Sequence, residues 1–245
     1  MENIKSMRNK KIITIVFTIT LIITVIFLIL FPLAKSVSFY EYVFDKYGTS
    51  SYTGYSSEEL KRIAQHIIRF LFTDWDSFYF EINKEIVFSN QAIYHMEDVK
   101  ALLQTFQMAL VVIFILFVCL AVYIYVKRAE YKDILFKYSL RTILVVVAIF
   151  LVIGIVAIID FPFAFRIFHH IIFPNPQKFE DSFFGSVSNY TEFPGVDNMM
   201  LVRILSNEFF IEFAVLEITI VLLVLGLYLL GTYLYKKKKE KRLGD

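Results

Sequence analysis

A histidine and two acidic residues stand together directly before one of the long apolar stretches of the chain. Residues 94–100 read YHMEDVK and include His95, Glu97 and Asp98, and the apolar stretch starts at Ala101. On a helix, His95 and Asp98 share a face, so Asp98 can orient a ring nitrogen of His95 or simply form a surface contact. A neutral imidazole has a pKa near the working pH and can accept and return a proton. His95 is therefore a candidate general acid and base, and the simpler alternative is a helix residue that bonds a loop carbonyl.

Two further imidazoles, those of His169 and His170, follow another apolar stretch. Arg166 precedes them by three and four residues and can reach both if this piece is helical. The structural alternative for this pair is the same as for His95. Both alternatives weaken if the membrane topology brings the two segments to the same side.

Four apolar stretches are each long enough to cross about 30 Å of hydrocarbon, which takes about 20 residues. The 245-residue chain is 58% hydrophobic, above the roughly 45–50% of soluble domains. We predict an all-α polytopic membrane protein with one membrane domain and four transmembrane helices at residues 12–33, 101–126, 140–159 and 211–235. The net charge of +2 is too small to indicate nucleic acid as a partner.

Basic residues cluster before the first span, in the loop 127–139 and in the tail 236–245. By the positive-inside rule these regions are cytoplasmic, so both termini lie inside and the loops 34–100 and 160–210 lie outside. The small residues around Ser36 would also suit cleavage of a signal peptide. However, the apolar core of the first span has about 20 residues, against roughly 7–15 in such signals.

The two outer loops are predicted to carry amphipathic helices. Ser56 and Glu59 have the spacing of a capping box, and an apolar stripe follows from Leu60. His66 falls off this stripe and is predicted to be a solvated surface residue. A helix capped by Ser89 and starting near residue 91 is expected to run unbroken into the second span. In the fourth span, an ionisable Glu217 is costly in lipid and is expected to face the interior of the bundle.

Other kinds of catalytic site are poorly supported by the sequence. The single cysteine, Cys119, lies deep in the second span and away from the histidines, and no Gly-x-Ser-x-Gly elbow occurs, which argues against an acyl-enzyme. No His-Glu-x-x-His or cysteine–histidine zinc spacing is present. A metal held by His95, Asp98 and His169 stays open as an alternative. We predict direct proton-transfer catalysis without a cofactor.

Two motifs of the chain resemble those of a known family. Residues 95–99 read HMEDV before the second span, and residues 168–175 read FHHIIFPN after the third. Their order and positions are similar to those of the lipoprotein intramolecular transacylase family of four-span bacterial membrane proteins. The first outer loop, residues 39–54, and residues 201–210 also look like this family.

The resemblance implies a reaction in which the sn-2 acyl chain of a lipoprotein's diacylglyceryl-cysteine moves to the α-amine of that cysteine. It implies diacylated bacterial lipoproteins as substrates, membrane lipid as surroundings, and a place in the bacterial cell membrane with the active site at the outer face. No metal is implied, and we expect a monomer. Two further alternatives are a non-catalytic accessory protein for lipoprotein or lipid handling and a metal-dependent membrane hydrolase.

For the site, the resemblance implies His95 and His169 as the catalytic residues. His169 is favoured over His170 because it follows Phe168 in the matched motif. The supporting residues, as oxyanion donors or substrate contacts, are then expected to be Asp98, Arg166, His170, Asn175 and Arg203.

Overall fold

The computed structural model describes residues 2–172 and 195–244, and these are almost entirely helical. The elements up to the second span are α1 (Glu2–Ala34), α2 (Val37–Tyr47), α3 (Thr49–Thr53), α4 (Ser57–Phe72), β1 (Glu81–Ile82), β2 (Glu85–Ile86) and α5 (Asn90–Val126). The remaining elements are α6 (Arg128–Ile159), α7 (Phe161–Ile172), α8 (Met200–Ile204) and α9 (Asn207–Gly244).

Among the described residues, four helices are long and apolar enough to cross a membrane. Their spans are Ser6–Ala34, Asn90–Val126, Asp133–Ile159 and Asn207–Lys238. Each contains one of the stretches predicted from hydropathy, which confirms an all-α fold with four transmembrane helices. The helices exceed the predicted stretches because hydropathy marks only their apolar parts, whereas the backbone hydrogen bonds continue into polar flanking residues.

The described residues divide into two compact units. The bundle unit draws on Met1–Leu30, Gln107–Asp160 and Glu217–Asp245, and the loop unit draws on Phe31–Phe106 and Phe161–Leu216. The division does not test whether the chain forms a single membrane domain, so that stays a prediction.

A chain of hydroxyl groups links three helices inside the bundle unit. Ser139 Oγ lies 2.9 Å from Thr18 Oγ1 and 2.8 Å from the Tyr228 hydroxyl, and Thr18 donates to the Thr14 carbonyl oxygen. Because each hydroxyl has one proton, the donors must run from Tyr228 to Ser139 to Thr18 to Thr14. Interhelical hydrogen bonds in membrane proteins contribute about 0.6 kcal/mol each. Beside them packs an apolar cluster that includes Ile22, Ile143 and Val221.

Local capping defines the helices of the loop unit. Ser36 accepts a hydrogen bond from the Phe39 amide and begins α2, and Gly48, at a φ of 63°, ends it in the left-handed region that glycine adopts without strain. Ser56 and Glu59 form the predicted capping box in front of α4, an arrangement that contributes about 1 kcal/mol.

The core of the loop unit joins α2, α4, the hairpin segment and the first turns of α5. The predicted stripe of α4 is buried there, with Ile63, Ala64 and Ile67 fully enclosed. Ser89 caps α5 by accepting a hydrogen bond from the Ala92 amide at 3.2 Å, so the predicted continuous helix from this point into the second span is confirmed. The fully or nearly fully buried aromatic members of this core are Phe39, Tyr40, Phe44, Phe70, Phe78, Phe88 and Phe209.

The prediction of a solvated His66 is wrong. Only 8% of this residue is exposed, its Nε2 lies 3.0 Å from the carbonyl oxygen of Phe78, and its ring stacks on Phe80 at 4.4 Å between centroids. The segment after α4 folds back over a second face of the helix. A single apolar stripe describes one packing surface only, so the sequence pattern missed this second surface.

The burial of His66 predicts a pH-dependent contribution to stability. Burial lowers its pKa from the ordinary 6.5 despite the hydrogen bond to Phe78. The folded state therefore disfavours the charged ring. The contribution of neutral His66 to the free energy of unfolding is fully present above a pH of about 6.5 and is lost as the pH falls through the lowered pKa. Glutamine at this position keeps an N–H donor and does not titrate. We expect the thermal midpoint to fall less between about pH 7.5 and pH 5 in His66→Gln than in the wild type. The difference should be roughly 2–4 °C for each kcal/mol of stability that His66 loses on protonation.

The measurement is thermal unfolding of purified protein in detergent at both pH values. His170→Gln is the comparison variant, because His170 is exposed, and it should change the pH dependence less than His66→Gln does. Equal pH dependence in wild type and His66→Gln would contradict the interpretation.

Candidate active site

His95 lies in the second turn of α5, on the part of this helix that belongs to the loop unit. Ala92 and Met96 on the same helix are buried in the core, which fixes the rotation of α5 about its axis. The His95 side chain is half-buried. It lines a small cleft of about 40 Å³ together with Gln91, Ala92, Asn198, Met199, Leu201 and Val202.

His169 lies in the last turn of α7 and is 5% exposed. Its Nδ1 is 2.8 Å from the carbonyl oxygen of Phe165, one turn earlier. The Phe165 ring lies 3.8 Å from the imidazole, centroid to centroid, and the Phe168 ring meets it edge-on at 5.4 Å. A carbonyl oxygen only accepts hydrogen bonds, so Nδ1 carries the proton in this contact. In the neutral ring Nε2 then holds the lone pair that can accept a proton.

The two imidazoles lie close together within the loop unit. The ring centroids of His95 and His169 are 6.3 Å apart, and the ring planes are inclined by 33°. The two imidazoles are therefore close enough to face one bound substrate.

Burial lowers the pKa of His169 below its ordinary 6.5, and the nearby His170 acts in the same direction. The hydrogen bond to the Phe165 carbonyl opposes this, but burial is the larger effect. His169 is therefore neutral at neutral pH, the state in which an imidazole can act as a base.

The other residues predicted for the site occupy different surroundings. Asp98 is exposed on α5, and no hydrogen bond between it and His95 occurs in the described part of the chain. Arg166 and His170 are exposed on α7. Arg203 forms a salt bridge of 3.0 Å with Asp197.

The structure bears differently on Asn175 and on the alternative of a metal site. Asn175 lies outside the described residues. Among residues 2–172 and 195–244, no group of three or more histidine, cysteine, aspartate or glutamate side chains is placed to hold a metal ion.

Two contributors to the site, Phe165 and Asn198, were not predicted from the sequence. Phe165 supplies both a ring and a carbonyl to His169, and its position four residues earlier on a helix was a usable signal. Asn198 shares the cleft with His95, whereas the polar segment containing it gave no sign of this position.

The packing of Phe165 on His169 generates a testable prediction. In Phe165→Ala the imidazole becomes more accessible to water, so we expect its pKa to rise toward about 6.5, the value of a solvated histidine. An NMR titration of ¹⁵N-histidine-labelled protein measures this pKa, and the His169 signals are assigned by their loss in His169→Gln. Phe165→Leu is the matched control, because leucine still covers the ring and should keep the pKa low. An unchanged His169 pKa in Phe165→Ala would contradict the assigned role of this ring.

Solved structures provide the first comparison with known proteins. The fold is similar to that of the membrane-integral lipoprotein intramolecular transacylase Lit from Bacillus cereus. A form with a histidine-to-arginine substitution has a TM-score of 0.70 at 20% identity, covering 100% of this chain and 99% of that one. A form with a histidine-to-alanine substitution has a TM-score of 0.72 at 18% identity, covering 99% and 100%. A further structure of Lit from Bacillus cereus gives 0.69 at 20% identity, covering 96% and 99%.

The second comparison uses sequence alone. No curated protein matches the chain. The family model described as lipoprotein intramolecular transacylase Lit matches residues 12–178, which is more than half of the chain and includes both His95 and His169. With four helices long enough to cross a membrane, the chain is a multi-pass membrane protein and an acyltransferase that belongs to the lipoprotein intramolecular transacylase family.

Proposed function

We propose that this enzyme moves the sn-2 acyl chain of a diacylglyceryl-cysteine, at the N-terminus of a lipoprotein, onto the α-amine of the same cysteine. The product is the lyso-form lipoprotein with an N-acyl chain. His95 and His169 carry the proton transfers, and no acyl-enzyme forms. The observation that supports this most directly is the 6.3 Å separation of their rings within one compact unit.

Starting from the neutral amine, the reaction needs one proton removed from the nitrogen and one delivered to the departing oxygen. The α-amine has a pKa of about 7.7–8.0, so near neutral pH it is mostly protonated and must first lose a proton to water. The neutral amine nitrogen then attacks the ester carbonyl, an N–C bond forms, and the bond between the carbonyl carbon and the glyceryl oxygen breaks. The attacking nitrogen gives up a second proton, and this proton balances the one that the departing glyceryl oxygen takes. Neutral His169 suits the role of acceptor, because burial lowers its pKa, and His95 is placed to share the transfers.

The second requirement is a donor for the carbonyl oxygen, which becomes negative in the tetrahedral intermediate. Arg166, Asn175 and Arg203 stay the candidates for this role, with Asp98 and His170 as supporting residues. Arg203 binds Asp197, but a guanidinium has five N–H donors and can hold a second oxygen at the same time.

Intramolecularity supplies a further part of the rate. Amine and ester belong to one molecule, so an enzyme that holds the substrate bent converts the reaction into an encounter of neighbouring groups. In this proposal, the bent substrate allows two histidines to carry the chemistry without a covalent nucleophile.

The topology forms part of the proposal. The basic clusters indicate cytoplasmic termini, which puts the loop segments with both histidines at the outer face of a bacterial cell membrane. Diacylated lipoproteins present their modified cysteine at that surface, and we expect the enzyme to act on them as a monomer.

The test is the loss of N-acylation in histidine variants. We expect His95→Ala and His169→Ala each to lower the rate of N-acyl product formation by roughly 10²–10⁴-fold, the contribution of general acid–base catalysis. Mass spectrometry of the N-terminal peptide of one lipoprotein, expressed in a host without this activity, distinguishes the diacyl free-amine form from the N-acylated lyso form.

His170→Ala is the comparison variant, because this neighbouring histidine is exposed whereas His169 is buried, and it should lose less activity than His169→Ala. Membrane levels of each variant are measured in parallel to exclude loss of the protein. Wild-type N-acylation in both the His95 and His169 variants would overturn the proposal.

A further inference from the structure

The only tryptophan of the chain, Trp75, lies between two cations on the surface of the loop unit. The guanidinium carbon of Arg69 is 3.6 Å from the centre of the Trp75 ring system. Lys100 donates a hydrogen bond of 2.7 Å from Nζ to the carbonyl oxygen of Trp75, and it also lies 4.7 Å from the centre of the Phe70 ring. We call these three residues, Arg69, Trp75 and Lys100, the tryptophan clamp.

Arg69 of the clamp lies on a helix that packs against the core of the loop unit. Arg69 belongs to the last turn of α4, and Phe70 beside it is buried in the core of the loop unit. Thr73 closes the helix by donating from Oγ1 to the Arg69 carbonyl oxygen at 2.6 Å. The backbone at Arg69 is therefore held by the helix and by the core beside it.

Within the described part of the chain, no carboxylate forms a salt bridge with either cation of the clamp, Arg69 or Lys100. The acidic neighbours of Trp75 in sequence, Asp74 and Asp76, are exposed and do not pair with these cations. Arginine on an aromatic face keeps N–H donors at its edge, and these match the oxygen atoms of a phosphate group.

The position of Lys100 along the chain indicates which phosphate-containing ligand lies nearby. Lys100 directly precedes Ala101, where the apolar part of the second span begins. Tryptophan is enriched at the level of the lipid headgroups, and basic residues next to a span attract anionic lipids. Trp75 is 39% exposed, so its ring is accessible from this surface.

We propose that the tryptophan clamp binds the phosphate of an anionic phospholipid in the leaflet next to the loop unit. This goes beyond acyl transfer, because the lipid is a bound neighbour of the enzyme and is not consumed. It relies on the proposed topology only to name that leaflet as the outer one.

Fluorescence of Trp75 tests the proposal directly, because the chain has no second tryptophan. The protein is reconstituted in phosphatidylcholine nanodiscs that contain a small fraction of brominated lipid, either phosphatidylglycerol or phosphatidylcholine. We expect brominated phosphatidylglycerol to quench Trp75 fluorescence more strongly than brominated phosphatidylcholine at the same fraction, by roughly threefold or more. Equal quenching by the two lipids, or quenching by aqueous acrylamide with none by either lipid, would overturn the proposal.

Variants identify the residues that create the preference. Arg69→Gln combined with Lys100→Gln should make the two lipids equal quenchers. Arg62→Gln is the matched control, because Arg62 is exposed two turns earlier on the same helix, and it should keep the wild-type preference. Loss of the preference in Arg62→Gln as well would show general surface charge instead of a site at the clamp.

A soluble competitor separates the possible sources of phosphate. Inorganic phosphate at constant ionic strength should leave the quenching by brominated phosphatidylglycerol unchanged, and relief of the quenching would mean that the clamp takes free phosphate instead of lipid. The same quenching measured in His95→Ala should equal that of wild type. The two proposals can therefore fail separately, because this experiment does not depend on acyl transfer.

Discussion

One turn of α7 determines the chemical state of His169, because Phe165 supplies both the carbonyl that accepts the Nδ1 proton and the ring that excludes water. The first contact fixes the tautomer, and the burial of the imidazole, to which the Phe165 ring contributes, lowers its pKa. Neither needs a charged partner. The catalytic proposal depends on this arrangement, since an imidazole that is neutral and held in one tautomer can take up a proton at Nε2.

The position of His95 depends on a different constraint, the packing of a long helix against a soluble-type core. Ala92 and Met96 bury their side chains among the residues of α2 and α4, and His95 lies between them in sequence. A helix anchored on one face must present the intervening residue at a defined angle. The apolar core of the loop unit thus sets the geometry of a polar site without contributing polar groups to it.

Three hydroxyl side chains in the apolar surroundings of the bundle unit pair with one another. Thr18, Ser139 and Tyr228 satisfy one another, and the Thr14 carbonyl accepts the last proton. An unpaired hydroxyl in such surroundings is costly, so a chain of donors that ends on a carbonyl is a stable solution. Glu217, expected from its sequence position to face the interior, is half-buried on α9.

Local signals made much of the structure predictable. Four spans, the capping box at Ser56 and the cap at Ser89 depend on short segments whose physics does not need the rest of the chain. His66 was misjudged because its burial depends on a segment that folds back onto α4. Asn198 was missed for a similar reason, since only the packing of distant elements brings it into the cleft beside His95.

The sequence by itself determined the membrane-spanning helices, the residue types available for proton transfer and the family motifs around them. It could not determine that His95 and His169 lie 6.3 Å apart, or that Phe165 contacts the second ring with both its carbonyl oxygen and its side chain. Hydropathy and helix caps are properties of neighbouring residues, whereas the pairing of two imidazoles depends on how α5 and α7 pack within the loop unit. That arrangement joins residues far apart in the chain, and no short segment contains both of them.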